Sequence, residues 1–184
     1  MNTKTIILAG GCFWCIEHDM RKASGVSSVV SGYTGGSEAT ANYIKVASRT
    51  TGHREAVLVT YHSDKTNFKK LCQFFLDHID PTDDGGQFYD RGEDYQTVIY
   101  FETDEERTIT IELLKELDES HLYDKPVVVR MERRKPFYKA EEEHQNYAEK
   151  KPEHYEQYRK GSGREDFVNR TCMIREEKHM QWKD

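Results

Sequence analysis

The apolar positions of this chain fall into short runs of two kinds, continuous or spaced like one face of a helix. Thr5-Ile6-Ile7-Leu8-Ala9 is continuous, so residues 4–9 predict a buried strand, too short for a free-standing helix. Residues 14–22 predict a helix, and Gly25 stops it before a second strand from Val26 to Tyr33. Thr34-Gly35-Gly36-Ser37 is a turn or loop. Residues 39–51 are ambiguous, with Tyr43, Ile44, Val46 and Ala47 as their apolar points. Glu55 to Tyr61, rich in β-branched and aromatic residues, predicts a third strand. Phe68, Leu71, Cys72, Phe75, Leu76 and Ile79 share one helical face and mark the clearest helix. Asp80-Pro81-Thr82 ends it and opens a long loop through Asp94; loops of that length in compact domains are often functional. Tyr95 to Phe101 predicts a fourth strand, and Thr103-Asp104-Glu105-Glu106 is a capping box for a helix that turns Ile109, Leu113 and Leu117 inward. Pro126 to Met131 predicts a fifth strand.

After Pro136 the pattern changes. Residues 139–160 are charged and tyrosine-rich, and predict helical pieces broken at Pro152. Gly161-Ser162-Gly163 predicts a flexible joint before a polar tail. Phe137, Tyr138, Tyr147, Tyr155 and Tyr158 need burial partners, so residues 136–184 are expected to wrap over a core of about residues 4–135 within a single domain. Strand-helix-strand twice over predicts an α+β fold with a ferredoxin-like plait core. Its mixed sheet would carry the fifth strand and its helix as additions.

A chain of 184 residues is long enough for a substantial core, and 36% hydrophobic with 33% charged residues suits a solvated surface. The net charge of −6, without a basic block, argues against nucleic-acid binding. No apolar run is long enough to span a bilayer, and the N-terminus leads straight into a strand rather than a signal-peptide core. The expectation is a cytoplasmic monomer. There Cys12, Cys15, Cys72 and Cys172 are reduced or catalytic rather than structural disulfides.

The chemistry is expected at Gly10-Gly11-Cys12-Phe13-Trp14-Cys15. A strand, a glycine turn and a helix start place Cys12 at a helix N-terminus, whose unpaired N–H groups favour a thiolate. A CxxC pair reads as a redox dithiol or as half of a metal site. Zinc needs two further ligands at compact spacing. Cys72 lies on an apolar helix face and Cys172 stands alone near the end, so no metal is expected. Phe13 and Trp14 read alone as core packing; beside a nucleophile they can also form a pocket for an apolar group. Glu55 at a strand start is ordinarily solvated, but if buried its pKa would rise and it could donate a proton. His53 reads as a surface histidine, Asp90 and Tyr95 as loop polar residues, and Glu141-Glu142-Glu143 as a solvated helix face.

Several segments together resemble the A-type peptide methionine sulfoxide reductases. They are Gly11-Cys12-Phe13-Trp14, Gly32-Tyr33-Thr34-Gly35-Gly36, Asn42-Tyr43-x-x-Val46, Thr51-Gly52-His53-Arg54-Glu55 and Asp80-Pro81-Thr82. Gly86-Gln87-Phe88-Tyr89-Asp90-Arg91-Gly92-Glu93-Asp94-Tyr95 and Phe137-Tyr138-x-Ala140-Glu141-x-x-His144-Gln145 complete the set, in family order, over roughly residues 5–160. The resemblance implies that Cys12 attacks the sulfoxide sulfur and that Phe13 and Trp14 hold the substrate methyl. It implies that Glu55 is the proton-donating acid, that Tyr43 and Tyr95 donate to the sulfoxide oxygen, and that Asp90 orients the substrate. It further implies S-epimer selectivity on free and protein-bound substrate, a Cys12 sulfenic acid, no cofactor, and thioredoxin or another dithiol as the external reductant. Cys15 stands where the family often has glycine, which resembles the subgroup with its recycling cysteine inside the motif and implies a Cys12–Cys15 disulfide. Cys172 is the competitor for that resolving role. Ile79 stands where a histidine often precedes Asp-Pro-Thr, and Asn42 where a threonine is common. A general CxxC thiol-disulfide oxidoreductase is the alternative reading.

Overall fold

The computed structural model describes residues 2–182. In chain order its elements are β1 (Thr3–Gly10), α1 (Phe13–Met20), β2 (Val26–Thr34), α2 (Tyr43–Ala47), β3 (Arg54–His62) and α3 (Phe68–Leu76). Then come β4 (Gly86–Gln87), β5 (Asp90–Arg91), β6 (Thr97–Phe101), α4 (Asp104–Glu119), β7 (Arg130–Arg133) and β8 (Phe137–Lys139). The chain closes with α5 (Tyr147–Lys150), α6 (Pro152–Gly161) and α7 (Arg164–Glu177).

β1 is the axis of the sheet. It runs antiparallel to β3 on one side, with Leu8 opposite Val57, and antiparallel to β6 on the other, with Leu8 opposite Ile99. With β2 beyond β3, the inner order β6-β1-β3-β2 is that of the expected plait. The period of two explains why β1 reads as continuously apolar. Ile6 and Leu8 face α1, α3 and α4, while Ile7 and Ala9 pack on the opposite face with Ala56, Val98, Tyr100 and Phe137. Both faces are covered from Ile6 onward, so none of those positions is free to be polar, while Thr3 and Lys4 at the strand's start are exposed. α3 buries Phe68, Leu71, Cys72, Phe75 and Leu76. α4 starts on the full capping box of Thr103 and Glu106.

The two outer strands depart from the expected pattern. The fifth strand is not at 126–131 but at β7, parallel to β6 with Val98 opposite Arg130. The Val127 N–H donates to Asp118 Oδ1 at 2.8 Å and the Val128 N–H to the Pro81 carbonyl at 2.8 Å, so neither joins the ladder. Pro126 has no N–H to offer. β8, three residues long, is too short for a periodicity and pairs antiparallel with β2, Tyr33 opposite Tyr138. The α3 helix ends at Leu76, and Ile79 enters the core from the loop beyond it. Tyr95 is not in β6; it ends a single tight helical turn, Glu93–Tyr95.

After β8 the chain crosses the start of α1. Tyr147 stacks on Trp14, Tyr155 packs on Cys12 and Cys15, and Arg164 reaches the carbonyl of Gly10. The expected flexible joint at 161–163 is instead a tight link between α6 and α7. Ser162 is buried, its hydroxyl donating to the Arg159 carbonyl at 2.9 Å. The left-handed turn falls on Gly163, at φ 82°.

Candidate active site

The turn from β1 into α1 sets the site. Gly11 has φ 82°, and a β-carbon there would lie 2.5 Å from Cβ of Gln87, so only glycine allows the hairpin β4–β5 to close beneath it. The Gln87 side chain is itself fixed by Asp80: it accepts the Asp80 N–H at 2.9 Å and donates to the Asp80 carbonyl at 2.7 Å. Cys12 is the N-cap residue of α1, its carbonyl accepting the N–H groups of Cys15 (3.1 Å) and Ile16 (3.3 Å). It is 5% exposed, and Cys15 is fully buried behind it. All four cysteines are free thiols, with Cys12 hydrogen-bonded to Cys15.

Phe13 and Trp14 point to different neighbours, as adjacent residues on a helix start must. Phe13 is buried among Tyr33, His144 and Trp14, with ring centroids 5.7, 5.4 and 6.3 Å away. Trp14 is partly exposed. Tyr147 stacks on it at 3.8 Å with the planes 9° apart, and its indole N–H donates to Nδ1 of His144 at 3.3 Å. The indole is thus held from behind and at its edge.

Glu55 enters from the start of β3 and is buried. Its Oε2 accepts the N–H of Phe13 at 3.0 Å, using one of the free donors at the start of α1. Burial nevertheless dominates and holds the carboxyl well above its ordinary pKa, with Asp90 and Asp94 adding to the rise. Tyr43 comes from α2, which Asn42 caps by accepting the Lys45 N–H at 3.1 Å. The Tyr43 N–H donates to Glu141 Oε1 at 2.8 Å, and Tyr33 O–H to Glu141 Oε2 at 2.8 Å. Asp90 sits on β5, and burial raises its pKa too. Cys12, Phe13, Trp14, Tyr43, Glu55, Asp90, Tyr95 and Tyr158 together line one open cavity of about 40 Å³. A thiol, a carboxyl whose pKa burial raises, phenol donors and aromatic walls there can reduce a small polar group that carries an apolar substituent.

The cavity gathers seven of the residues singled out from the sequence. Cys15 lies just beneath it. Cys172 lies exposed on α7, its thiol facing Glu176, away from the cavity. Tyr158 is the wall residue that sequence reasoning missed. It donates to Asp90 Oδ2 and meets Trp14 edge-on at 6.1 Å. Its only signal was a tyrosine in need of a burial partner.

Three expectations are corrected. Cys12 is not eased toward the thiolate: burial pushes it well up, followed by its hydrogen bond to Cys15 and the charges of Cys15, Glu55 and Asp90. The N–H of Phe13 serves Glu55 instead. His53 is buried rather than at the surface, its Nδ1 accepting the Gly36 N–H at 3.1 Å and its Nε2 2.9 Å from the Ser37 carbonyl, so it pins a loop. Glu141 is not simply solvated, being the clamp on Tyr33 and Tyr43.

Among the described residues no group of three His, Cys, Asp or Glu is placed to hold a metal ion, and no helix is long and apolar enough to cross a membrane. The peptide methionine sulfoxide reductase family matches residues 4–176. Peptide methionine sulfoxide reductase MsrA of Bacillus velezensis is 47% identical over 161 residues, covering 88% of this chain and 91% of that one. The crystal structure of reduced Mxr1 from Saccharomyces cerevisiae superposes with a TM-score of 0.72 at 30% identity, over 82% of this chain and 86% of that one. Mxr1 solved in complex with Trx2 matches at 23% identity with a TM-score of 0.50, over 79% of this chain and 85% of that one.

Proposed function

The chain belongs to the peptide methionine sulfoxide reductase family, an oxidoreductase that reduces methionine sulfoxide, and from that premise we propose how its residues do so. Phe13 and Trp14 receive the substrate methyl, with Tyr147 and His144 fixing the indole. Tyr43 and Tyr95 donate hydrogen bonds to the sulfoxide oxygen, and Asp90, held by Tyr158, orients the substrate. A sulfoxide oxygen leaves poorly unless protonated, so the decisive group is an acid whose pKa lies well above that of an ordinary carboxyl. Glu55 is that acid, and its burial beside Cys12 is the observation that carries the reading.

As the Cys12 sulfur attacks the sulfoxide sulfur, Glu55 delivers its proton to the oxygen and the thiol proton restores Glu55. The oxygen ends on Cys12, giving methionine and a Cys12 sulfenic acid. A second thiol, Cys15 by its position beneath Cys12, condenses with it to a disulfide and water. An external dithiol of the thioredoxin kind then restores both thiols; Mxr1, the yeast relative, forms a complex with Trx2. An asymmetric cavity, with the methyl box on one wall and the acid on another, favours one epimer, and the likeness to the A-type reductases implies that it is the S form. The test offers purified protein with dithiothreitol each epimer of N-acetylmethionine sulfoxide. Consumption of the S epimer alone is expected, and an untouched S epimer would sink the proposal.

A further inference from the structure

A buried guanidinium without a carboxylate partner is costly, so the place where a fold keeps one is informative. Arg164, at the start of α7, is 1% exposed. Its Nη2 donates to the Gly10 carbonyl at 2.9 Å and its Nη1 to the His78 carbonyl at 3.1 Å, and the group lies 4.7 Å over the Phe88 ring. Two carbonyls take two of its N–H groups and a ring face lies over it, and none of these carries a negative charge; the carboxylate that feels its charge without touching it is Asp90, on β5, which Tyr158 holds by a hydrogen bond. Among the described residues no carboxylate is within ion-pair distance of it.

The groups around Cys15 show where that charge acts. On its own helix they are Cys12 and Asp19; from α6 come Tyr155 and Arg159, from α7 Arg164, and from β3 Glu55. Asp19 is engaged by Arg159, at 3.0 Å, and by Lys22, at 3.7 Å. Burial holds the Glu55 carboxyl well above its ordinary pKa. Arg164 is therefore the cation near Cys15 that no carboxylate contacts directly. Cys12, by contrast, looks toward Glu55 and Asp90.

We propose that Arg164 is a positioning residue for the resolving step: it pins the Gly10–Gly11 turn from beneath and supplies the positive charge against which Cys15 forms its thiolate. The proposal rests on the reductase reading above. In this step the Cys15 thiolate attacks the sulfur of the Cys12 sulfenic acid. The S–S bond forms, the S–O bond breaks, and the departing hydroxide takes the proton that Cys15 gave up, leaving as water. Cys15 is oxidised and Cys12 reduced by the same electron pair. In keeping with this, the Cys15 thiol is drawn down to about 7, by its hydrogen bond from Cys12 and then by Arg164 and Arg159.

R164Q removes the charge and shortens the side chain, whereas R164K keeps the charge. Each is made in the full chain carrying C172S, reacted with one equivalent of N-acetylmethionine S-sulfoxide and alkylated at timed intervals between pH 5.5 and 8.5. Methionine released and free thiols lost are counted by mass spectrometry. In R164Q the pH midpoint of thiol loss, timed from the methionine burst of the same sample, rises by about one unit, which is about tenfold in rate below the midpoint. R164K keeps the parent midpoint. Equal midpoints in R164Q and the parent overturn the proposal, as does a shift shared by R164Q and R164K. Absence of a methionine burst in the parent itself overturns the reductase reading instead.

Discussion

Replacing Glu55 with Gln isolates the acid on which the proposed chemistry depends. Glutamine is nearly isosteric and its carbonyl can still accept the Phe13 N–H, which Glu55 binds at 3.0 Å. Only the titrating proton is lost. In the folded protein burial keeps the carboxyl neutral well above its ordinary pKa, while in the unfolded chain it ionises near 4.3. Between those two values the folded state binds one proton more than the unfolded state. Stability carried by Glu55 is therefore present at low pH and is lost as pH rises toward the folded value. The slope for one proton is about 1.4 kcal/mol per pH unit at most. Urea unfolding of the wild type and E55Q at pH 5, 6 and 7, with reductant present, should show the wild type losing ground against the variant by about 1 kcal/mol or more between pH 5 and 6. In the same samples the first turnover of E55Q should slow by about 10²–10⁴, the usual weight of a general acid. A stability difference that stays constant across this range would refute the neutral acid. So would a wild-type rate in E55Q.

Cys12→Ser should abolish methionine formation, whereas Cys15→Ser should give one equivalent and then stall under thioredoxin with its reductase; Cys172→Ser should cycle normally. Sustained cycling in Cys15→Ser would hand the resolving role to Cys172. Tyr158→Phe removes the hydroxyl that donates to Asp90. It should lower kcat/KM about tenfold, mostly through KM, and cost about 1 kcal/mol in urea unfolding; an unchanged KM would take the hold on Asp90 out of the binding of substrate.

The parts of the fold that could be read from the chain are those where one local pattern decides. β1, β2, β3 and β6 announce themselves as apolar runs, and α3 as an apolar stripe, because each is packed on the core along its whole length. Thr103 and Glu106 mark the start of α4 because a capping box is a purely local arrangement. β7 and β8 were misplaced or unseen because their existence depends on partners. Residues 127 and 128 have the composition of a strand, but their N–H groups go to Asp118 and Pro81. Phe137–Lys139 becomes a strand only because the edge of β2 is open beside it. The same division holds in the site. Cys12, Phe13, Trp14 and Glu55 belong to motif segments, while Tyr158 and Arg164 lie in a stretch whose charge and tyrosine content look like ordinary surface. The ionisation of Cys12 was misjudged for a related reason. The helix N-terminus is a local feature, but what consumes its N–H is a glutamate 42 residues away in the chain.

The C-terminal wrap consequently belongs to the chemistry as much as to the fold. Cys12 faces Glu55 and Asp90 from β3 and β5, and the wrap adds what faces Cys15. With it their surroundings diverge. Cys12 is held protonated first by its own burial and then by Cys15, Glu55 and Asp90, and it faces carboxyls whose pKa burial raises, Glu55 most of all. Cys15 looks toward Tyr155, Arg159 and Arg164, all from the last two helices, and is eased toward the thiolate. The first step needs a proton donor beside the sulfur that attacks; the second needs an anion behind the sulfur that has been oxidised. One helix start meets both needs because a segment from the far end of the chain brings Tyr158 to the Cys12 cavity and the two arginines toward Cys15. Truncation before α6 would accordingly remove what eases Cys15 toward the thiolate while leaving the sheet, α1 and Glu55 in place. Its mark would be a resolving step whose pH dependence follows an ordinary thiol.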